Sequence, residues 1–321
     1  MATKRLLICF GFLALTFAYL ARVYAHRYAL SFYPAICIYL SLILLLALVL
    51  IPGCFKSLPW TTNSLSLLLV PLWCSPYLIY ALGTRDFRWI AFLKLVLIAL
   101  PVWAIYRLLP VQDSGVFSWQ DGAVAVLLVA AVLSHQTKGI WNIPVNLDFM
   151  TRLFLISVAA WCWVYVRPVA GLGYDFRLSR EIVLQAALNF AWFSALAIPL
   201  SLALHFTRWN PRWPGLGSFL LNYLEIFLFV ALLEETFFRG FLQTLLSNRL
   251  HSWVAGQLAV SCLFGLFHIL HAPFPNWRYV LLATLAGWFY GSAFRKSGSL
   301  IASSLTHAAV DTAWRTWFSA H

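Results

Sequence analysis

Two adjacent carboxylates and a guanidinium, Glu234, Glu235 and Arg239, sit inside the apolar stretch FVALLEETFFRGFLQTLL, residues 229–246. Removing each from water costs several kcal/mol unless it is paired, so their presence needs a reason. On a helix Glu235 and Arg239 stand four apart with the acid first, the better order for an ion pair. That pairing leaves Glu234 without an internal partner, and a carboxylate so placed in a low dielectric is the better proton acceptor, as a general base acting on water requires. Further along, CLFGLFHILH (262–271) puts Phe264 and His268 four apart on one helix face, with His271 a turn on and Pro273 marking the helix end. GSLIASSLTHAAVDTAW (298–314) does the same with His307 and Asp311. Singly these groups are costly among apolar neighbours, and they are cheapest when they converge on one wet pocket. A pocket holding water, a carboxylate base and two imidazoles has the parts for hydrolysis.

Each group also has a plainer role open to it. The carboxylates can tie helices together, His268 can be an interior residue and His271 an interfacial one. The small residues Gly298, Ala302, Ser303, Ser304, Ala308 and Ala309 can form a packing seam, with His307 and Asp311 a staple within it.

The elements that must hold these groups are membrane helices. Of 321 residues, 62% are hydrophobic and 10% charged, and the mean hydropathy is +0.83. Such values exclude an ordinary soluble domain and point to an integral, multi-pass membrane protein, an all-α polytopic transmembrane helical bundle. A span takes roughly 20 apolar residues. Candidate stretches lie near 6–24, 33–52, 64–83, 89–109, 122–135, 153–172, 182–206, 218–246, 252–271, 277–294 and 298–318, giving about nine to eleven spans. The 122–135 stretch is short enough to be re-entrant or interfacial, and 218–246 is long enough to be a broken or tilted helix. The N-terminal MATKRLLICF run, with Lys4 and Arg5 ahead of its apolar part and a Val23–Ala25 end, reads as a retained first helix in preference to a cleaved signal peptide.

The net charge of +12 comes from 22 Lys and Arg scattered singly between apolar stretches. That pattern suits anionic lipid headgroups and the bilayer as partners, with no nucleic acid. Basic residues fall almost evenly on the two faces of any alternating assignment, so they set no orientation. Cys9, Cys37, Cys54, Cys74, Cys162 and Cys262 have no repeating spacing and read as buried small hydrophobes, neither a disulfide framework nor a metal site. Chemical character is uneven along the chain. Residues 1–180 form a first region of unassigned role whose spans, Lys94 apart, look like plain lipid-facing helix, and residues 181–321 hold the acids, histidines and Arg239 singled out for chemistry. Within the second region, TRWNPRWPGLGS (207–218) suits a stiff interfacial connection with its indoles at headgroup depth.

At these residues the sequence resembles the family of intramembrane proteases that includes the CAAX prenyl endopeptidases and the bacterial bacteriocin-processing and immunity proteins. Its marks, E-E-x-x-x-R, F-x-x-x-H and H-x-x-x-N or D on successive late helices, appear in order as Glu234-Glu235-Thr236-Phe237-Phe238-Arg239, Phe264 to His268, and His307 to Asp311. Similar flanks extend the resemblance over about 182–318. It implies a helical membrane protease that cuts a membrane-anchored protein or peptide near its anchored, C-terminal end. The substrate is then a prenylated C-terminus or a bacterial precursor, and the flank of Gly298 to Asp311 favours a processing enzyme of a prokaryotic inner membrane. By the same resemblance Glu234 with His268 activates water, His307 with Asp311 stabilises the oxyanion, and Glu235, Arg239 and Phe264 support them.

Family members commonly end the last motif with asparagine, whose amide donates, whereas an ionised Asp311 only accepts. Two repairs are open: Asp311 orients His307 as a cation, or it is a ligand to zinc. The chain has no H-E-x-x-H, so the reading without a cofactor is preferred, with zinc as the alternative. Two other functions compete with proteolysis. One is a proton-coupled transporter with Glu225, Glu234, Glu235 and His268 as a relay, against which stands the lack of an internal repeat. The other is a non-catalytic immunity or binding protein on the same scaffold.

Overall fold

A computed structural model describes residues 2–58 and 64–320; the side chains of Arg5 and Cys9 lie outside the described residues. The chain is an all-α bundle. Helices run α1 (Ala2–Arg27), α2 (Phe32–Cys54), α3 (Leu69–Thr84), α4 (Trp89–Leu108), α5 (Trp119–Leu133), α6 (Phe149–Trp161) and α7 (Arg180–Ala203). A rod from Leu216 to Arg249 follows, then α11 (Trp253–Leu266), α12 (Trp277–Ser297) and α13 (Leu300–Trp317). The rod consists of α8 (Leu216–Ile226), α9 (Leu232–Glu235) and α10 (Thr244–Arg249), joined by π-helical turns at Phe227–Ala231 and Thr236–Gln243. Its wide turns match the broken helix expected at 218–246. Among the described residues six helices are long and apolar enough to cross a membrane, and the 15-residue α5 and 14-residue α11 are shorter apolar helices.

Contacts divide the chain into two compact units, residues 1–114 with 118–168, and 115–117 with 169–321. In the first unit, plain lipid-facing helix is the wrong description. Most of Phe149–Val166 is buried, and Trp73, Trp141, Trp161 and Trp163 are almost wholly enclosed. Three of the four indole N–H groups find acceptors: Trp161 donates to the Leu48 carbonyl at 2.7 Å, Trp141 to Thr151 Oγ1 at 3.0 Å and Trp163 to Tyr106 Oη at 3.1 Å, while Trp73 Nε1 has no partner among the described residues. This unit also buries an ion pair. Arg167 grips Asp121 in a two-pronged contact, Nε to Oδ1 at 2.9 Å and Nη2 to Oδ2 at 2.8 Å. Asp121 also caps α5 with Ser118 and accepts from Tyr106 Oη at 3.1 Å. Every oxygen of the carboxylate is therefore satisfied, which is what makes a buried charge tolerable. The partners lie 46 positions apart, out of reach of any local spacing rule.

The second unit packs α7, the rod, α11, α12 and α13 together. Ile182, Ala293, Ile301 and Ala302 form one apolar cluster, and Ile226, Ala231 and Ala308 form another. The small residues of α13 do act as a seam, with Ala302, Ser303, Ser304 and Ala308 buried. Gly298 does not belong to it: a Cβ there would meet open space, and the glycine instead supplies the left-handed cap of α12, φ +66°. Segment 207–218 is more ordered than a connection, since Thr207–Trp209 (β1) pairs antiparallel with Phe318–Ala320 (β2). Strands of three residues are too short to print an alternating pattern in the sequence. Described cysteines are free thiols, and Cys37, Cys74 and Cys162 are buried. Cys262 is exposed, because α11 turns Ser261, Phe264 and Gly265 inward and leaves Cys262 outside.

Candidate active site

Glu235 is the best-held acid of the second unit. Its Oε1 accepts from Arg239 Nη1 at 3.0 Å and from His307 Nδ1 at 2.9 Å, and its Oε2 accepts from the Ser303 hydroxyl. Arg239, fully buried, gives its Nη2 to the Gly287 carbonyl at 3.1 Å and lies over the rings of Phe264 (4.5 Å) and Tyr290 (5.3 Å). One guanidinium, one imidazole and one hydroxyl thus converge on a single carboxylate, so the charge is compensated and the geometry fixed. The Glu235–Arg239 pair expected from spacing is present. Glu235 also holds His307 and Ser303, because α13 presents both on the face that meets α9.

His307 is buried between α12 and the rod, stacked on Tyr290 with centroids 4.5 Å apart and planes at 14°, and edge-on to Phe264 at 5.9 Å. Asp311 Oδ2 stands 3.6 Å from its Nε2 and is 39% exposed. That is an ion-pair distance, too long for a hydrogen bond. The acid that hydrogen-bonds the ring is therefore Glu235, at Nδ1, and Asp311 lies on the Nε2 side.

His268 lies just past α11. Its Nδ1 contacts the Phe264 carbonyl at 2.8 Å, and its own N–H goes to Gly265 instead, at 2.9 Å. A carbonyl only accepts, so Nδ1 carries the proton and Nε2 of the neutral ring is the acceptor. The side chain has taken the acceptor that the next helical turn needed, which is why α11 stops at Leu266, earlier than Pro273 suggests. His268 faces Phe264 (centroids 4.9 Å) and Tyr279 (4.6 Å). His271 is exposed and also lies against Tyr279, at 5.0 Å.

Glu234 makes no hydrogen bond among the described residues. It lies within electrostatic range of His307, Asp311, Glu235 and Arg239. His268 is within range of His307 and Asp311. Phe264 joins the parts, since its ring touches His268, His307, Arg239, Tyr290 and Phe238. Glu225, by contrast, is exposed.

Among the described residues no three His, Cys, Asp or Glu side chains come together to hold a metal ion. The donor set explains this, because His307 Nδ1 and both oxygens of Glu235 are already engaged with one another, Arg239 and Ser303. An apolar cavity of about 50 Å³ opens between α7, α12 and α13, lined by Phe193, Ala197, Leu282, Val310 and Trp314 among others, and neither His307 nor Asp311 lines it.

Several supporting groups escape a motif reading. Ser303 passes for a packing residue, and Tyr279 and Tyr290 are aromatic residues in an aromatic-rich chain. Gly287 and Gly291, one turn apart on α12, were the available signal: small residues at this spacing mark a close helix crossing. A Cβ at Gly287 would lie 3.2 Å from Arg239 Nη2, and one at Gly291 2.5 Å from Gln243 Oε1. The space they leave lets Arg239 and Gln243 reach the Gly287 and Gly291 carbonyls.

Residues 216–313 match the model of the family described as type II CAAX prenyl endopeptidase, Rce1-like. No curated protein and no solved structure matches the chain.

Proposed function

We propose that this chain, whose residues 216–313 match the model of the Rce1-like CAAX prenyl endopeptidase family, is an intramembrane endopeptidase that uses Glu234 to activate water. The family match supports a membrane protease in general. The observation that carries the finer reading is the division of labour between two neighbouring acids: Glu235 is engaged by Arg239, His307 and Ser303, while Glu234 makes no hydrogen bond beside them. A structural carboxylate is held in that way, and a base must be left as Glu234 is.

In the proposed reaction Glu234 takes a proton from water as the water oxygen attacks the scissile carbonyl carbon, with His268 Nε2 accepting the second water hydrogen bond. The carbonyl electron pair moves to oxygen, where His307, held as an imidazolium between Glu235 and Asp311, donates its Nε2–H to the new charge. Glu235 keeps that ring in place through Nδ1, as the acid of a serine triad orients its histidine. When the intermediate collapses, the carbon–nitrogen bond breaks and the leaving amine receives the proton held by Glu234. No metal takes part in these steps. The substrate, as the family resemblance implies, is a membrane-anchored protein or peptide cut near its anchored, C-terminal end, in a prokaryotic inner membrane. An exposed Glu225 gives no support to a proton relay through the same acids.

The test compares the termini of membrane-protein fragments in cells with and without the protein. New termini near anchored ends, found only when it is present, are expected; identical sets of termini contradict the proposal.

A further inference from the structure

Hydrogen-bond donors are scarce in this site. Glu234 and an ionised Asp311 only accept. The Nδ1–H of His268 is committed to the Phe264 carbonyl and that of His307 to Glu235. Arg239 spends Nη1 on Glu235 and Nη2 on Gly287, and the Ser303 hydroxyl is also on Glu235. Arg239 Nε has no partner but is fully buried over the Phe264 and Tyr290 rings, so among the motif side chains an oxygen gaining a full negative charge would find one donor, His307 Nε2–H, with an acceptor-only Asp311 at its side. One donor against one repelling carboxylate is a poor oxyanion site.

A neutral donor stands next to these groups. Tyr279 is the third residue of α12, fixed there by its N–H to Asn276 Oδ1 at 3.0 Å. Its ring lies 4.6 Å from that of His268, 5.0 Å from His271 and 5.3 Å from Phe206, so the segments after α11 and after α7 both hold it. It is partly buried, within electrostatic range of both Asp311 and Glu234, and its hydroxyl has no hydrogen-bond partner among the described residues. Phenylalanine would serve the ring contacts equally; the hydroxyl needs another explanation.

We propose that Tyr279 is a catalytic residue whose hydroxyl gives the second hydrogen bond, beside that of His307, to the carbonyl oxygen attacked by water. No proton is transferred: the phenol hydrogen is shared with the oxygen while it carries charge and returns when the carbonyl reforms. This rests on the hydrolase reading above. It also accounts for an acid at position 311, since a site with a phenol donor does not need an amide there.

The full chain, purified in detergent, is given a fluorogenic peptide with a C-terminal hydrocarbon anchor. Tyr279→Phe is expected to lower kcat by about 100-fold or more, with KM, elution and unfolding temperature those of the parent. Fluorinated tyrosines placed at 279 keep the ring and hydroxyl, and the rate is expected to change in step with phenol acidity, which a packing role would not produce. A Tyr279→Phe enzyme with the parent's kcat, or a fluorotyrosine series with one flat rate, overturns the proposal; should Tyr279→Phe fail to fold, the series alone decides. Glu234→Ala separates the two readings. If Glu234→Ala is inactive and Tyr279→Phe is not, only the role of Tyr279 fails; if Glu234→Ala cleaves like the parent, or the parent cuts nothing, the hydrolase reading fails and takes the proposal with it.

Discussion

Neighbouring residues of identical chemistry, Glu234 and Glu235, have opposite fates, and this contrast gives the sharpest residue-scale prediction. Removing Glu235 strands a fully buried Arg239 and leaves His307 and Ser303 without their acceptor. Breaking a buried pair in this way costs about 3–5 kcal/mol. Glu235→Ala is therefore expected to lower the unfolding temperature in detergent sharply, while Glu234→Ala leaves it near the parent's value. Adding Arg239→Met to Glu235→Ala removes the stranded charge and should return much of the stability without returning cleavage. Equal melting of the two single variants would mean that the acids are not divided as described. The Glu235–Arg239 pair was legible because a four-residue spacing on a helix is a local rule. Its third and fourth members were not, because Ser303 and His307 arrive from a helix some 70 positions later, and sequence spacing carries no such distance.

At the scale of elements, the position of His268 and Tyr279 depends on how closely α11 and α12 cross. A Cβ at Gly265 would meet the Thr284 hydroxyl and lie 2.6 Å from the Val280 carbonyl. Gly265→Ala must push the helices apart, at an overpacking cost of about 1–3 kcal/mol. Since His268 follows three residues later and Tyr279 sits in the facing turn of α12, cleavage should fall further than stability does. Parallel thermal unfolding and rate measurements check this, and a Gly265→Ala enzyme with the parent's rate would contradict it. Helix existence was readable from apolar runs alone, whereas the end of α11 was not. There a side chain captures a backbone carbonyl, an event that hydrophobic periodicity does not record. The π-helical turns beside Glu234 and Glu235 were visible only as excess length, a rod of 34 residues where about 20 suffice.

For the whole molecule, the proposed chemistry lies within the unit of residues 115–117 and 169–321, and the other unit has its own polar centre at Asp121 and Arg167. Arg167→Ala leaves Asp121 buried with fewer donors and is expected to destabilise the protein by about 3–5 kcal/mol, read as a lowered unfolding temperature. Unchanged unfolding would show the pair to be dispensable. Fold class and the late catalytic-type helices could be read from composition and three short motifs. The interior of the first unit could not, because tryptophan and tyrosine look the same in a lipid-facing belt and in a hydrogen-bonded core, and only tertiary contacts separate the two. The central claim remains that Glu234 is the base of a protease. Its most direct test is cleavage of a membrane-anchored precursor by the purified chain and by Glu234→Gln, which keeps shape and fold while losing the proton acceptor. One bond cut near the anchored end by the parent, and cleavage lowered by about 100-fold or more in the variant, is the predicted result; cleavage by Glu234→Gln at the parent's rate would contradict it.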